Sequence, residues 1–172
     1  MTIARILHNA NLFKALSDDQ LKAVIQLGQV KRFEPDEEIF KQGEQAKTIY
    51  VLLDGLVRLR IKAPEELDLM AETLQEPGSV FGMAALSKSH VYNVTAKCIK
   101  STTALAIDSG GLKEIITRDP FVGVEVMAEL AQLYSNRLNN TRAAATNLFR
   151  IFKAQTHKAN IYDVYGEPEY KH

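Results

Sequence analysis

Two short stretches of this chain hold its best candidates for chemistry. One reads Phe81-Gly82-Met83-Ala84-Ala85-Leu86, and the other begins six residues later and reads Tyr92-Asn93-Val94-Thr95-Ala96. Neither stretch contains a charged residue. Met83 and Tyr92 would give a pocket an apolar and aromatic lining, which suits either a flat or hydrophobic ligand or a pocket filled by its own side chains. The sequence leaves both possibilities open.

Other reactive chemistry is sparse. The four histidines have no metal-ligand spacing relative to one another or to Cys98. His90 is expected to be an exposed loop residue, although it could touch a ligand or ligate a haem if one were bound. No Ser/His/Asp arrangement or carboxylate pair stands out. We therefore predict that the protein is not an enzyme and has no metal site.

Composition excludes several classes of function. A chain of 172 residues, 46% of them hydrophobic, can build a core. Lys plus Arg and Asp plus Glu number 21 each, so no net field favours nucleic acid or an anionic membrane. The N-terminus lacks a signal-peptide pattern, and no apolar run approaches the roughly 20 residues that span a bilayer. We predict a cytoplasmic protein with no direct DNA or membrane binding.

The chain divides into four segments. Residues 1–28 have the apolar spacing of short helices, and Ser17 with Gln20 predicts a capping box. Residues 29–108 contain short alternating stretches, and Asp54-Gly55 between two of them is typical of a hairpin turn. Helical spacing returns in residues 109–153, and residues 154–172 are predicted to be a flexible tail. The predicted strands are Gln29–Glu34, Glu38–Lys41, Thr48–Leu53, Leu56–Lys62, Leu67–Leu74, Asn93–Ile99 and Thr102–Ile107.

This order of elements predicts an α+β fold that is mainly β. We expect an eight-stranded antiparallel jelly-roll β-barrel, flanked by the N-terminal helices and a long C-terminal helix. The long helix, from about Phe121 to Lys153, would reach about 50 Å. An apolar stripe follows it, and its far half needs a second surface, which predicts a homodimer through residues 121–153. The stripe comprises Met127, Leu130, Tyr134, Leu138, Thr141, Ala145, Leu148 and Phe152.

Several separated motifs resemble the cyclic-nucleotide-binding domains of catabolite activators and protein kinase regulatory subunits. The resemblance covers about Leu12 to Arg142. It rests on three motifs that occur in the family's order. They are Ile39-Phe40-Lys41-Gln42-Gly43-Glu44, Ile49-Tyr50-Val51-Leu52-Leu53-Asp54-Gly55-Leu56-Val57-Arg58-Leu59, and Pro77-Gly78-Ser79-Val80-Phe81-Gly82.

The resemblance implies a phosphate-binding cassette at residues 78–95. In the family, a cassette holds the cyclic phosphate with backbone amides at a helix N-terminus and an arginine, while a glutamate accepts from the ribose hydroxyl. Here Met83 would occupy the glutamate's place and Tyr92 the arginine's place, while Gly82 forms the turn. The implied ligand-binding residues are Phe81, Gly82, Met83, Ala84, Ala85, Tyr92, Asn93 and Thr95.

The loss of both charged contacts should weaken cyclic nucleotide binding. Each is worth roughly 1.5 to 3 kcal/mol, so affinity should fall by about two to four orders of magnitude. Lys88, Lys97 or Arg58 could supply a replacement cation, although each is expected to be a solvated surface residue.

The resemblance implies a sensor or regulatory module, and the apolar stripe and the length of the chain predict that it is dimeric and stand-alone. About 20 residues follow Phe152, too few for a helix-turn-helix, so we expect a separate protein effector and no DNA-binding output domain. The ligand would be a weakly bound cyclic nucleotide, cAMP or cGMP, or another small molecule. The alternative is a structural or protein-interaction module with a vestigial, ligand-free cassette.

Overall fold

The structure, a computed structural model, describes residues 2–62 and 68–165. Its N-terminal part contains α1 (Ile3–Asn9), a 3-10 turn (Asn11–Phe13) and α2 (Asp18–Leu27). The amide of Gln20 donates to the Ser17 hydroxyl at 3.3 Å, and the amide of Ser17 donates to the Gln20 side chain at 2.8 Å. These reciprocal bonds confirm the predicted capping box, which satisfies free amides of the first turn.

Eight strands form within the described residues, and they pair antiparallel in two four-stranded sheets. The sheet orders are β1-β8-β3-β6 and β2-β7-β4-β5. This confirms an α+β fold, but no described strand pairs with strands of both sheets, so the predicted closed barrel is not formed. The strands are β1 (Gly28–Phe33), β2 (Glu38–Phe40), β3 (Thr48–Asp54), β4 (Val57–Lys62), β5 (Asp68–Leu74), β6 (Val80–Phe81), β7 (Thr95–Cys98) and β8 (Thr102–Asp108).

The turn at Asp54-Gly55 does not make the predicted hairpin. It joins β3 to β4, which belong to different sheets, so the chain passes from one sheet to the other at this turn. Gly55 has φ 116°, and a Cβ there would lie 2.7 Å from the Cα of Thr102 on β8. The glycine is therefore required by a close approach to β8 as well as by its backbone angle.

Aromatic rings join the two sheets in the core. The ring of Phe40 on β2 stacks on that of Tyr50 on β3, with 5.8 Å between centroids, and lies 6.1 Å from that of Phe81 on β6. Phe33 on β1 meets Tyr50 edge-on at 6.4 Å. Since Phe40 belongs to one sheet and the other three rings to the second, these contacts pack the sheets face to face.

Two helices follow the strands, α3 (Ser109–Arg118) and α4 (Pro120–Tyr165). The Asp119 carboxylate accepts from the amides of Phe121 and Val122, and Pro120 is the first residue of α4, where its missing amide costs nothing. The helix continues past Lys153, where the sequence placed the start of a flexible tail, and ends at Tyr165. Residues 166–172 lie outside the described part of the chain.

The predicted apolar stripe runs along the boundary between two faces of α4. Leu130 is buried and Tyr134 and Thr141 are half-buried, whereas Met127 and Leu138 are 43% and 51% exposed. Ala145 is exposed, and the side chains of Leu148 and Phe152 lie outside the described residues. The buried face of α4 carries Val122 and Val126, which are not in the predicted stripe, together with Leu130.

Candidate ligand-binding site

The first candidate stretch forms a tight turn that the aromatic core shapes. Gly82 has φ 74°, and a 3-10 turn follows at Met83–Leu86, in which the amide of Ala85 donates to the Gly82 carbonyl at 3.1 Å. A Cβ on Gly82 would lie 2.9 Å from the Thr48 carbonyl oxygen. Glycine is required there for space and for the left-handed backbone. The amides of Met83 and Ala84 precede the first hydrogen bond of the turn.

A cavity of about 240 Å³ opens between this turn, the sheet containing β4 and β5, and α4. Five predicted site residues line it, and most of the other lining side chains are apolar. The predicted ones are Gly82, Met83, Ala84, Tyr92 and Asn93, and the rest are Phe40, Leu59, Ile61, Glu72, Val94, Tyr134, Arg137, Leu138 and Thr141.

Three other predicted site residues do not line the cavity. Phe81 and Ala85 are fully buried in the core. Thr95 is buried as well, and its hydroxyl accepts from the Gln42 amide at 3.0 Å. Phe81 belongs to β6, Ala85 to the 3-10 turn and Thr95 to β7, and all three side chains pack inside the protein rather than against the cavity.

Tyr92, at the position that the resemblance assigns to the arginine, is a packing residue. Its ring lies 3.8 Å, centroid to centroid, from that of Phe40 and nearly parallel to it. Its hydroxyl donates to the Thr48 carbonyl at 2.7 Å, while the Thr48 amide lies 3.3 Å from the same oxygen. Burial raises the pKa of Tyr92 to about 12. The ring and its hydrogen bonds tie the second candidate stretch to β3.

Alkaline pH should weaken the fold through Tyr92. Its contribution to stability is complete below the unfolded pKa of 10.0 and is lost as the pH rises through the folded pKa of about 12, because folding favours the neutral phenol. Two pKa units at about 1.36 kcal/mol each limit this loss to about 2.7 kcal/mol. Urea unfolding at several pH values between 9 and 12 measures it. Tyr92→Phe should show a shallower decline over this range than the parent protein, and equal declines would contradict the assignment.

The charged groups of the cavity are Arg137 and Glu72. Arg137 lies on α4, and its Nε donates to the Glu72 carboxylate on β5 at 2.6 Å, while its Nη2 donates to the Val80 carbonyl. Burial raises the pKa of the neighbouring Tyr134, and the charge of Arg137 opposes that rise. Sequence reasoning missed the pair because 65 residues separate its members and neither belongs to a motif.

The three cations considered from the sequence lie elsewhere. Lys88 is exposed, and Lys97 donates to Asp36 at 2.8 Å and lowers the pKa of that carboxyl. Arg58 faces away from the cavity on β4, where Leu59 and Ile61 alternate with it and line the cavity. Among the described residues lining the cavity, Arg137 is the one cation, and Glu72 compensates it. The lining therefore offers a cyclic phosphate no uncompensated positive side chain.

No group of three or more His, Cys, Asp and Glu side chains among the described residues could hold a metal ion. In the same residues, no helix has both the length and the apolarity needed to cross a membrane.

Known proteins resemble this chain in sequence and in fold. A Rhodopseudomonas palustris protein, provisionally named a potassium channel protein, is 28% identical over 115 residues, which are 67% of this chain and 27% of that protein. A CRP-like cAMP-activated global transcriptional regulator of Mycobacterium tuberculosis is 22% identical over 135 residues, 78% of this chain and 60% of the regulator. The chain thus spans less than two thirds of either relative.

Solved structures share the fold. A crystal structure from Geobacter metallireducens, provisionally described as a cyclic nucleotide-binding protein, has a TM-score of 0.68 at 26% identity and covers 80% of this chain and 99% of that one. The regulatory domain of Toxoplasma gondii PKA, crystallised with cAMP, has a TM-score of 0.67 at 15% identity, covers 77% of this chain and 48% of that one, and shows likeness of fold alone.

The family model for the cyclic nucleotide-binding domain matches residues 30–119, which is more than half of the chain. The matched segment includes every strand from β2 to β8, the Gly82 turn and Tyr92. The chain belongs to the cyclic nucleotide-binding domain family.

Proposed function

We propose that this chain is a regulatory ligand-binding module whose cavity takes a small, electrically neutral and largely apolar molecule. The observation that carries this proposal is the lining of the cavity, which among the described residues is apolar except for a compensated Arg137–Glu72 pair, Asn93, Thr141 and the hydroxyls of Tyr92 and Tyr134. A cavity of about 240 Å³ lies below the usual range of drug-sized sites, so the ligand is small. Cyclic nucleotides then bind weakly, with dissociation constants approaching the millimolar range.

The long helix would transmit occupancy of the cavity. Tyr134, Arg137 and Thr141 reach the cavity from α4, so a ligand touches the helix directly. A ligand that fits one helix position better than another shifts the balance between them. The output would pass to a separate protein effector rather than to DNA, and the two sheets would correspond to the halves of a jelly roll.

We further propose that α4 pairs with α4 of a second copy through an exposed seam. The seam consists of residues at alternating three- and four-residue steps, which is the coiled-coil spacing. Phe121 and Phe149, at its ends, are 87% and 78% exposed. Small residues in the middle allow two helices to approach closely. The exposed seam comprises Phe121, Val124, Ala128, Ala131, Ser135, Leu138, Arg142, Ala145 and Phe149.

A neutral fluorescent probe tests the ligand proposal. N-phenylnaphthylamine should bind the protein saturably with one site per chain, whereas isothermal titration with cAMP and cGMP should show binding only near millimolar concentrations. Val94→Trp should weaken probe binding at least about tenfold, because the larger ring fills the cavity that Val94 lines.

The neighbouring Val91 supplies the matched control. Val91 is 42% exposed and is absent from the cavity lining, so Val91→Trp makes the same chemical change outside it. Val91→Trp should bind the probe as the parent protein does. Absence of probe binding to the parent protein, or equal binding by both variants, would contradict the proposal.

The second candidate function is a protein-interaction module with a ligand-free cassette. The exposed seam favours this candidate. Tyr92 also favours it, because its ring stacks on Phe40 and its hydroxyl donates to the Thr48 carbonyl, so its contacts are made within the chain and need no ligand. This candidate predicts neither probe binding nor nucleotide binding.

A further inference from the structure

The guanidinium of Arg137 joins three elements beside the cavity. Arg137 itself lies on α4. Its Nε donates to Glu72 on β5, and its Nη2 donates to the Val80 carbonyl on β6. β5 and β6 lie in different sheets. The charged group is therefore positioned by two independent partners, of which only Glu72 carries a charge.

The Arg137–Glu72 pair lies where it can affect the charge of a ligand that the cavity accepts. The side chains of Arg137 and Glu72 are 20% and 25% exposed, and both line the cavity. Charge interactions are stronger in such partly buried surroundings than in water. An anionic ligand that approached Arg137 would meet a cation whose charge Glu72 already compensates, and the Glu72 carboxylate would lie close to the ligand's own negative charge.

We propose that Glu72 is a specificity-determining residue that excludes anionic ligands by neutralising the charge of Arg137. This inference rests on the proposed function, since it concerns ligands of the same cavity. Met83 lies at the position where the resemblance implies a cassette glutamate, so that position has no charge here. The carboxylate that lines the cavity belongs to Glu72 on β5. The Val80 carbonyl holds Arg137 in place independently, so removal of the Glu72 charge leaves a positioned and uncompensated cation.

Two probes that share one ring skeleton test this proposal. N-phenylnaphthylamine is neutral, and anilinonaphthalene sulfonate adds one negative charge to the same skeleton. Glu72→Gln, which keeps the size of the side chain, should raise affinity for the sulfonate by about tenfold or more and leave affinity for the neutral probe within about twofold. Titration with cAMP should show a gain in the same direction.

Three variants isolate the charge of Arg137. The double variant Glu72→Gln/Arg137→Gln should lose the gain in sulfonate affinity. Glu125→Gln makes the same change at an exposed position of α4 and should not alter either affinity. Arg137→Gln alone leaves the carboxylate unpaired and should raise affinity for naphthylmethylammonium, a cation of similar shape, by about tenfold.

The outcomes separate this proposal from the function on which it rests. Neutral probe binding in the parent protein, without a gain of sulfonate affinity in Glu72→Gln, would overturn the role of Glu72 and leave the proposed function standing. If Glu72→Gln does not fold, as judged by circular dichroism, Arg137→Gln decides, and no gain of cation affinity would overturn the role. Absence of neutral probe binding to the parent protein would overturn both.

Discussion

Truncation of Tyr92 to alanine should lower the free energy of unfolding by about 3–5 kcal/mol, the range for loss of a buried aromatic ring. The variant loses the ring stack with Phe40 and both hydrogen bonds to Thr48. For a domain of this size, the melting temperature should fall by roughly 10 °C. Thermal unfolding followed by circular dichroism measures the change.

Two related variants show where the stability comes from. Tyr92→Phe keeps the stack and should cost about 1–3 kcal/mol, because the Thr48 carbonyl loses its partner. Tyr134→Ala removes the same side chain at a half-buried position on α4 and should cost less than Tyr92→Ala. If Tyr92→Ala were no more destabilising than Tyr134→Ala, Tyr92 would not be the structural anchor of the cassette.

Aspartate in the exposed seam should separate the proposed dimer. Val124→Asp combined with Phe149→Asp places like charges opposite each other across a parallel helix pair, at positions that are 67% and 78% exposed in one chain. Such contacts cost several kcal/mol, so the dimer should weaken by at least about a hundredfold. Sedimentation velocity over a range of protein concentrations measures the change.

The choice of positions keeps this test apart from the ligand test. Leu138 also belongs to the seam, but it lines the cavity, so a charge there would alter both properties. Ala143→Asp adds the same charge at an exposed position of α4 outside the seam and should leave the sedimentation coefficient unchanged. A double variant that sediments as the parent protein does would exclude pairing through this seam.

Local signals explain how much of the fold was predictable. The capping box at Ser17 and the start of the long helix, predicted at about Phe121 and found at Pro120, depend on residues within one helical turn. Each of the seven predicted strands has a counterpart within a few residues, while the two-residue strand β6 was missed because it is too short for alternation to show. The end of α4 was misplaced because residues 154–165 have no clear apolar period.

Long-range pairing decided the features that were missed. Asp54-Gly55 has the local chemistry of a hairpin turn, but the pairing of β3 with β8 assigns its two flanking strands to different sheets. The apolar stripe on α4 predicted a helix correctly, yet only the tertiary packing shows that Val122 and Val126 face inward while Phe121 and Val124 face outward.

By itself, the sequence determined the succession of elements and the family, because these follow from spacing and from motifs of adjacent residues. It also showed that the positions of Met83 and Tyr92 lack charge. The tertiary structure alone decided that the Tyr92 hydroxyl donates to the Thr48 carbonyl and that Arg137 donates to Glu72 beside the cavity. Tyr92 and Thr48 are separated by 44 positions in the sequence, and Arg137 and Glu72 by 65. Such contacts depend on how the sheets and the helix pack, which no local periodicity encodes.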